Sequence, residues 1–182
     1  LHGLTGFDLH GKRVGVIGTG QIGETFARIM AGFGCELLAY DPYPNPRIQA
    51  LGGRYLALDA LLAESDIVSL HCPLTSETRN LIGTAELAKM RPGAILINTA
   101  RGGLIDEAAL VAALTEGRIG GVGLDVHEHE PQVHPGLLAH PRAVLLPHLG
   151  SATIEARTAM GMRAAANLAA WFRGEAPGDR VA

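Results

Sequence analysis

The sequence predicts an α/β fold, a doubly wound parallel sheet flanked by helices, on three observations. Strand-like and helix-like patterns alternate almost throughout its 182 residues, as they do when right-handed crossovers join parallel strands. Most strand candidates are continuous apolar runs, the mark of strands covered on both faces. The first run leads into Gly18-Thr19-Gly20-Gln21-Ile22-Gly23, and an amphipathic helix pattern follows at once. A G-x-G-x-x-G turn between strand and helix marks a Rossmann-type dinucleotide site; alone it would be only a glycine-rich turn.

The first strand is Arg13–Ile17. In its turn Gly18 permits the tight bend, Gly20 lets the backbone approach a pyrophosphate, and Gly23 lets helix pack on strand. The helix over 22–33 then presents N–H groups and a positive dipole to phosphates. The second strand, Glu36–Tyr40, ends in Asp41, about twenty residues on, where an acid hydrogen-bonds an adenosine ribose. Pro42, Pro44 and Pro46 are read as simply breaking the chain after it. A helix over 58–63 precedes the third strand, Ile67–Leu70, which ends in His71-Cys72-Pro73. A helix at Thr84–Lys89 precedes the fourth strand, 94–98, which ends in Asn98-Thr99-Ala100-Arg101-Gly102. A helix over 107–116 leads to the fifth strand, Gly121–Leu124, ending in Asp125. The sixth, 143–146, ends in Pro147-His148. A long helix runs from about 153 to 172, and the tail 174–182 is expected to fray. Ligands of such sheets sit beyond the carboxyl ends of the strands, and polar or reactive residues follow nearly every apolar run here.

Composition narrows the function classes. Hydrophobic residues make up 47% and charged residues 18%, which suits one soluble globular domain with a small appendage. A net charge of −3 argues against nucleic-acid and anionic-membrane partners, which want a basic face. No apolar run approaches a membrane span. The opening residues lack a basic-then-apolar start, so no signal peptide is expected. A start at Leu1 suggests a fragment or an excised domain. Cys35 and Cys72 form neither C-x-x-C nor a metal spacing. They read as reduced thiols of a cytoplasmic protein.

Three strand-end residues invite chemistry. Arg101 would project into the cleft beside a nicotinamide, where its planar fork suits a carboxylate and its charge polarises a carbonyl. His148 stands at a strand end, suited to protonate a carbonyl oxygen and to take the proton back in reverse. Glu130, directly before Pro131, is a carboxylate that would fix such an imidazole's tautomer. On the residues alone Glu128 serves equally well. The run His127-Glu128-His129-Glu130 with His134 has spacings possible for zinc, but it reads better as a solvated loop holding one functional carboxylate. No metal is expected.

These segments together resemble the D-isomer-specific 2-hydroxyacid dehydrogenase family. The residues that carry the resemblance are GKRVGVIGTGQIG at 11–23, SDIVSLHCPLT at 65–75, KMRPGAILINTARGGLIDEAAL at 89–110, GVGLDVHEHEP at 121–131 and LLPHLGSAT at 145–153. LLAYDPYPNP and SLHCPLT are closest to the D-lactate dehydrogenase branch, while PHLGSAT is the commoner form of the wider family. The resemblance implies NAD as cofactor and a small 2-hydroxy or 2-keto acid as substrate. It also implies a catalytic set: Arg101 on the substrate carboxylate and keto oxygen, His148 as acid/base, and Glu130 rather than Glu128 as its partner. Gln21 and Ile22 match the pyrophosphate contacts and Asp41 the ribose acid. Cys72, Pro73 and Thr78 match the segment beside the adenosine half. Thr99 and Ala100 line the nicotinamide side, and Asp125 is the carboxamide partner. His127 departs from the pattern, which usually has an aromatic there.

The same resemblance implies a second, flavodoxin-like domain that this stretch does not contain. The expected organisation is a hinge segment at 1–10, an NAD-binding domain at 11–150, and a C-terminal helix and tail at 151–182. Family members pair as homodimers through the cofactor domain. The function implied is hydride transfer between NAD(H) and a small D-2-hydroxy acid. A non-enzymatic NAD-sensing module, like the transcriptional corepressors that resemble the family, is the alternative.

Overall fold

The computed structural model describes residues 6–180 and divides the chain into two compact units, with the boundary between Pro147 and His148. The first unit carries seven strands, β1 (Arg13–Ile17), β2 (Glu36–Tyr40), β3 (Arg54–Tyr55), β4 (Ile67–Leu70), β5 (Ile95–Asn98), β6 (Gly121–Leu124) and β7 (Ala143–Leu145). They form one sheet in the order β3-β2-β1-β4-β5-β6-β7, with every pair parallel. The helices are α1 (Gln21–Gly32), α2 (Pro46–Ala50), α3 (Leu58–Glu64), α4 (Thr84–Lys89), α5 (Glu107–Thr115) and α6 (Pro135–Leu138).

The chain winds outward from β1 to β3, then crosses back and winds the other way from β4. The order therefore reverses between β1 and β4, and a crevice opens at their carboxyl ends. Both faces of the sheet are covered, which explains the continuous apolar runs. On one face Val14, Val16, Ala27 and Ile48 pack together. On the other Leu61, Leu62, Leu87, Leu110 and Leu114 form the larger cluster.

Three elements differ from the sequence expectation. The sheet has a seventh strand, β3, whose two residues are too few to show any periodicity; Arg54 pairs with Leu38. The proline run does not merely break the chain. Pro46 opens α2 at a position that needs no N–H, and Asn45 caps it by accepting from the Arg47 N–H at 3.0 Å. A short helix, α6, begins at Pro135 with the His134 imidazole accepting from the Gly136 N–H at 3.1 Å. Strand β5 starts at Ile95 and β7 ends at Leu145, one residue inside the expected bounds.

In the second unit α7 (Ile154–Phe172) is capped by Thr153, which accepts from the Ala156 N–H at 3.1 Å. None of its residues is buried. The tail does not fray where it is described: Asp179 accepts from Arg163 and Asn167. Residues 181 and 182 of that tail, and 1–5 of the expected hinge, lie outside the described residues. Among the described residues no helix is long and apolar enough to cross a membrane.

Candidate functional site

The glycine turn is built by close approach. Gly18 sits at φ +91, and a side chain there would meet the Cys72 backbone nitrogen at 2.5 Å. Gly23 is tighter, because a Cβ would lie 1.9 Å from the Gly18 carbonyl oxygen. Gly20 is different. It is the N-cap of α1, and a Cβ there would meet nothing within 4 Å. The turn is thus sealed against β4 and its own helix but open at Gly20. The first-turn N–H groups of α1, at Gln21 and Ile22, have no partner within the helix.

Asp41 closes one side. Its carboxylate accepts from the Thr19 N–H at 2.7 Å and the Tyr43 N–H at 2.8 Å. Thr19 is itself buried, and its hydroxyl accepts from the Tyr55 hydroxyl at 2.8 Å. Asn45 adds a third tie, donating to the Thr19 carbonyl at 3.0 Å and to Glu24 at 3.1 Å. Arg47, the first arginine after Asp41, is held by Glu24 at 3.3 Å. Thr19, Asn45 and Tyr55 carried no sequence signal as site residues, because the last two belong to elements too short to be read.

Two cavities open along the crevice. One, of about 440 Å³, brings together Gly18, Asp41, Tyr43, Cys72, Pro73 and Thr78. The other, of about 650 Å³, brings together Ile22, His71, Cys72, Thr99, Ala100 and Arg101. Cys72 and Pro73 line both, and the glycine turn contributes Gly18 to one and Ile22 to the other, so the two cavities adjoin along it. Thr78 shapes that segment by donating to the Pro73 carbonyl at 2.7 Å. Burial pushes the Cys72 thiol above its ordinary range, with the Asp41 charge adding in the same direction. Burial also takes His71 down to about 4, so its ring, tilted against Phe26, is neutral at ordinary pH.

At the β5 end Asn98 does the shaping. It is buried, donates to the Arg101 carbonyl at 2.9 Å, and accepts from the Ala100 N–H at 3.0 Å. The Thr99–Arg101 turn is thereby fixed, and Arg101 is presented to solvent with one N–H on the Ala100 carbonyl. The Asp125 N–H donates to the Asn98 carbonyl at 2.9 Å, which joins the β5 and β6 ends. Asp125 itself is buried. Glu130 is exposed at the edge of the loop after β6 and accepts from the His127 N–H at 3.1 Å. The Glu130–Pro131 peptide is cis.

That loop is solvated at His129 and Glu130, as expected, but not at its start. His127 is buried, with its Nδ1 at 3.7 Å from the buried Glu107 carboxylate. Among the described residues no cluster of three or more His, Cys, Asp or Glu side chains is suited to hold a metal. His148 opens the second unit with φ +56 and is exposed.

A sealed turn with one open glycine, an acid at the end of β2, and an elongated double cavity are what a dinucleotide requires. Comparisons with known proteins agree. Residues 2–150 match the family model of the D-isomer specific 2-hydroxyacid dehydrogenase NAD binding domain. A glyoxylate reductase of Thermococcus litoralis is 46% identical over 177 residues, covering 97% of this chain and 54% of that protein. The apo-structure of D-lactate dehydrogenase from Escherichia coli superposes with a TM-score of 0.92 at 41% identity, covering all of this chain and 57% of that one. D-lactate dehydrogenase with NAD+ from Lactobacillus jensenii gives 0.90 at 34% identity, covering 100% and 59%. The chain therefore spans about half the length of the relatives it matches.

Proposed function

The chain belongs to the D-isomer-specific 2-hydroxyacid dehydrogenase family, whose NAD-binding domain it is, and from that premise we propose that the whole protein interconverts a small D-2-hydroxy acid and its 2-keto acid. Lactate with pyruvate and glycerate with hydroxypyruvate are the kinds of pair intended, and the glyoxylate reductase similarity adds glyoxylate. The carrying observation is the open Gly20 flanked by Asp41 and by Arg101 at the two ends of one crevice. None of the relatives above favours the non-enzymatic sensing alternative.

Gln21 and Ile22 would offer backbone N–H groups to the pyrophosphate. Asp41 would accept from the adenosine ribose, and Cys72, Pro73 and Thr78 would wall that half. Thr99, Ala100 and Asp125 would orient the nicotinamide. When bound, NADH supplies a hydride for the keto carbon. Arg101 would hold the substrate carboxylate and polarise the keto oxygen. His148 would protonate that oxygen, and Glu130 would favour the protonated imidazole. NAD is preferred to NADP on this reading, because Asp41 repels a 2′-phosphate and Arg47 is already held by Glu24.

Homodimerisation through this domain and a cytoplasmic location complete the proposal. The family resemblance supports the first, together with exposed Leu138 and edge-strand Val144; the free thiols Cys35 and Cys72 support the second. The test is to assay the full-length protein with NADH and glyoxylate, pyruvate and hydroxypyruvate. Turnover should be lost in Arg101→Ala while NADH affinity stays. NADH binding without turnover of any 2-keto acid would sink the enzymatic reading.

A further inference from the structure

His127 occupies the position where the family pattern has an aromatic, and it lies at a junction. Its backbone N–H donates to Glu130 Oε1 at 3.1 Å. Its backbone carbonyl lies against Gly102, where a Cβ would come within 1.9 Å of that oxygen. Gly102 directly follows Arg101. Its imidazole Nε2 is 3.2 Å from the carbonyl oxygen of Leu146, which precedes His148 by two positions in sequence. One residue thus touches the turn behind Arg101, the carboxylate of Glu130 and the chain leading to His148.

The ring's surroundings are polar, in contrast to those of an aromatic residue. A backbone carbonyl can only accept, so Nε2 carries the hydrogen in that bond. Nδ1 is buried without a hydrogen-bond partner and faces Glu107 Oε1 at 3.7 Å. Glu107 lies in the first turn of α5 and is 6% exposed at its side chain. The same Oε1 accepts from the Glu128 N–H at 3.0 Å. Glu107 therefore anchors the loop through the Glu128 backbone and lies beside the His127 ring without a hydrogen bond to it. The Nε2–Leu146 and Glu128–Glu107 bonds favour a single arrangement, because another would leave these buried groups unpaired as well.

We propose that His127, backed by Glu107, is a positioning residue for the dehydrogenase reaction: it holds the backbone that presents Glu130 and buttresses the Arg101–Gly102 turn. The inference rests on the enzymatic reading above, since Glu130 and Arg101 matter only if they act on a 2-keto acid. The imidazole replaces aromatic packing by a directed bond to Leu146.

The test compares wild type, His127→Phe, His127→Gln and Glu107→Gln in the full-length protein, with kcat and KM for a 2-keto acid and the NADH Kd measured on each. His127→Phe restores the family's usual aromatic character but cannot donate to Leu146. It should lower kcat roughly ten- to a hundredfold, the scale of a sub-ångström misplacement of a reacting group, with NADH Kd within about twofold. His127→Gln keeps a donor and should recover most of the loss. Glu107→Gln still accepts from Glu128 and should fall between them. Wild-type kcat in His127→Phe overturns the proposal, as does an equal loss in His127→Gln. Amide hydrogen exchange separates this failure from that of the enzymatic reading. Even if no 2-keto acid is reduced, His127→Phe should speed exchange at the His127 and Glu128 N–H groups of the 182-residue chain. Unchanged protection there removes His127 from the role.

Discussion

The two ends of the crevice are built by opposite means. At the β1 end the shape comes from missing side chains: Gly18 and Gly23 let backbone touch backbone, and Gly20 leaves a gap. At the β5 and β6 ends the shape comes from buried polar side chains: Asn98 grips the Arg101 turn, and Glu107 and His127 grip the loop of Glu130. The difference suits the ligand groups of the proposed function. A pyrophosphate needs close approach to main-chain N–H groups, which any Cβ obstructs. A guanidinium or carboxylate that must meet a small acid needs its own backbone aimed, and a satisfied buried polar group aims best.

The sharpest way to break this comparison is at the glycines. Gly23→Ala forces a Cβ into the Gly18 carbonyl and should cost about 3 kcal/mol, the upper range for overpacking, with NADH affinity down at least roughly tenfold. Gly20→Ala meets nothing and should change stability by less than about 1 kcal/mol, yet weaken NADH all the same. Urea unfolding and fluorescence titration of both variants decide it. Equal stability losses would mean that the turn is not divided into sealed and open halves.

Asn98→Ala tests the other end. It leaves the Ala100 N–H and the Arg101 carbonyl without their partner and should cost about 2 kcal/mol. In the full-length protein, KM for the keto acid should rise far more than the NADH Kd. A parallel rise in both would place Asn98 with the cofactor cradle instead.

His71 lines the cavity at the Arg101 end and gives that part of the crevice a pH dependence. Unfolded imidazole titrates near 6.5, and burial takes the folded one to about 4. Between those values the unfolded chain holds the extra proton, so acid favours unfolding. The contribution is complete above pH 6.5 and falls as pH drops through the window, by about 2 kcal/mol between pH 7.5 and 5. His71→Phe should flatten that part of the stability–pH curve, read by denaturation at each pH. An unchanged slope would show a hydrated ring.

The smallest effect is on cofactor choice. Asp41→Asn keeps one oxygen for the Tyr43 N–H, gives up the bond from the Thr19 N–H and removes the charge. The preference for NADH over NADPH should narrow about tenfold, the worth of one charge-assisted hydrogen bond. A preference that does not move would assign the discrimination to another residue.

The glycine end is legible in the sequence; at the clamp end the presented residues are legible but the groups that hold them are not. Gly18, Gly20 and Gly23 act through what they lack, and their spacing alone states it. Asp41 and Arg101 stood at the ends of apolar runs and were legible by position. Asn98 was visible as a strand-end residue, but its work is a pair of bonds to residues two and three positions on, which no spacing rule distinguishes from a solvated amide. The burial of His127 is hidden in the sequence because its neighbours Glu128, His129 and Glu130 are polar, and a polar run reads as exposed. Its burial depends on Glu107, which arrives from α5. Tyr55 carries no sequence signal because a two-residue strand has no pattern, although its hydroxyl secures Thr19.

The contact of Gly18 with the Cys72 backbone also orders events in time. At the opposite end of the same β1–β4 pair, the Arg13 N–H bonds to Asp66 across a sequence separation of 53. The cradle is therefore completed only when a loop of that size has closed, and such closures come late because their entropy is lost before the contacts form. A chain emerging from the ribosome has the glycine motif long before it has a phosphate site. The cofactor then has nothing to hold until β4 docks beside β1, so it acts on the finished fold: by mass action it stabilises the native state and leaves the early search unassisted.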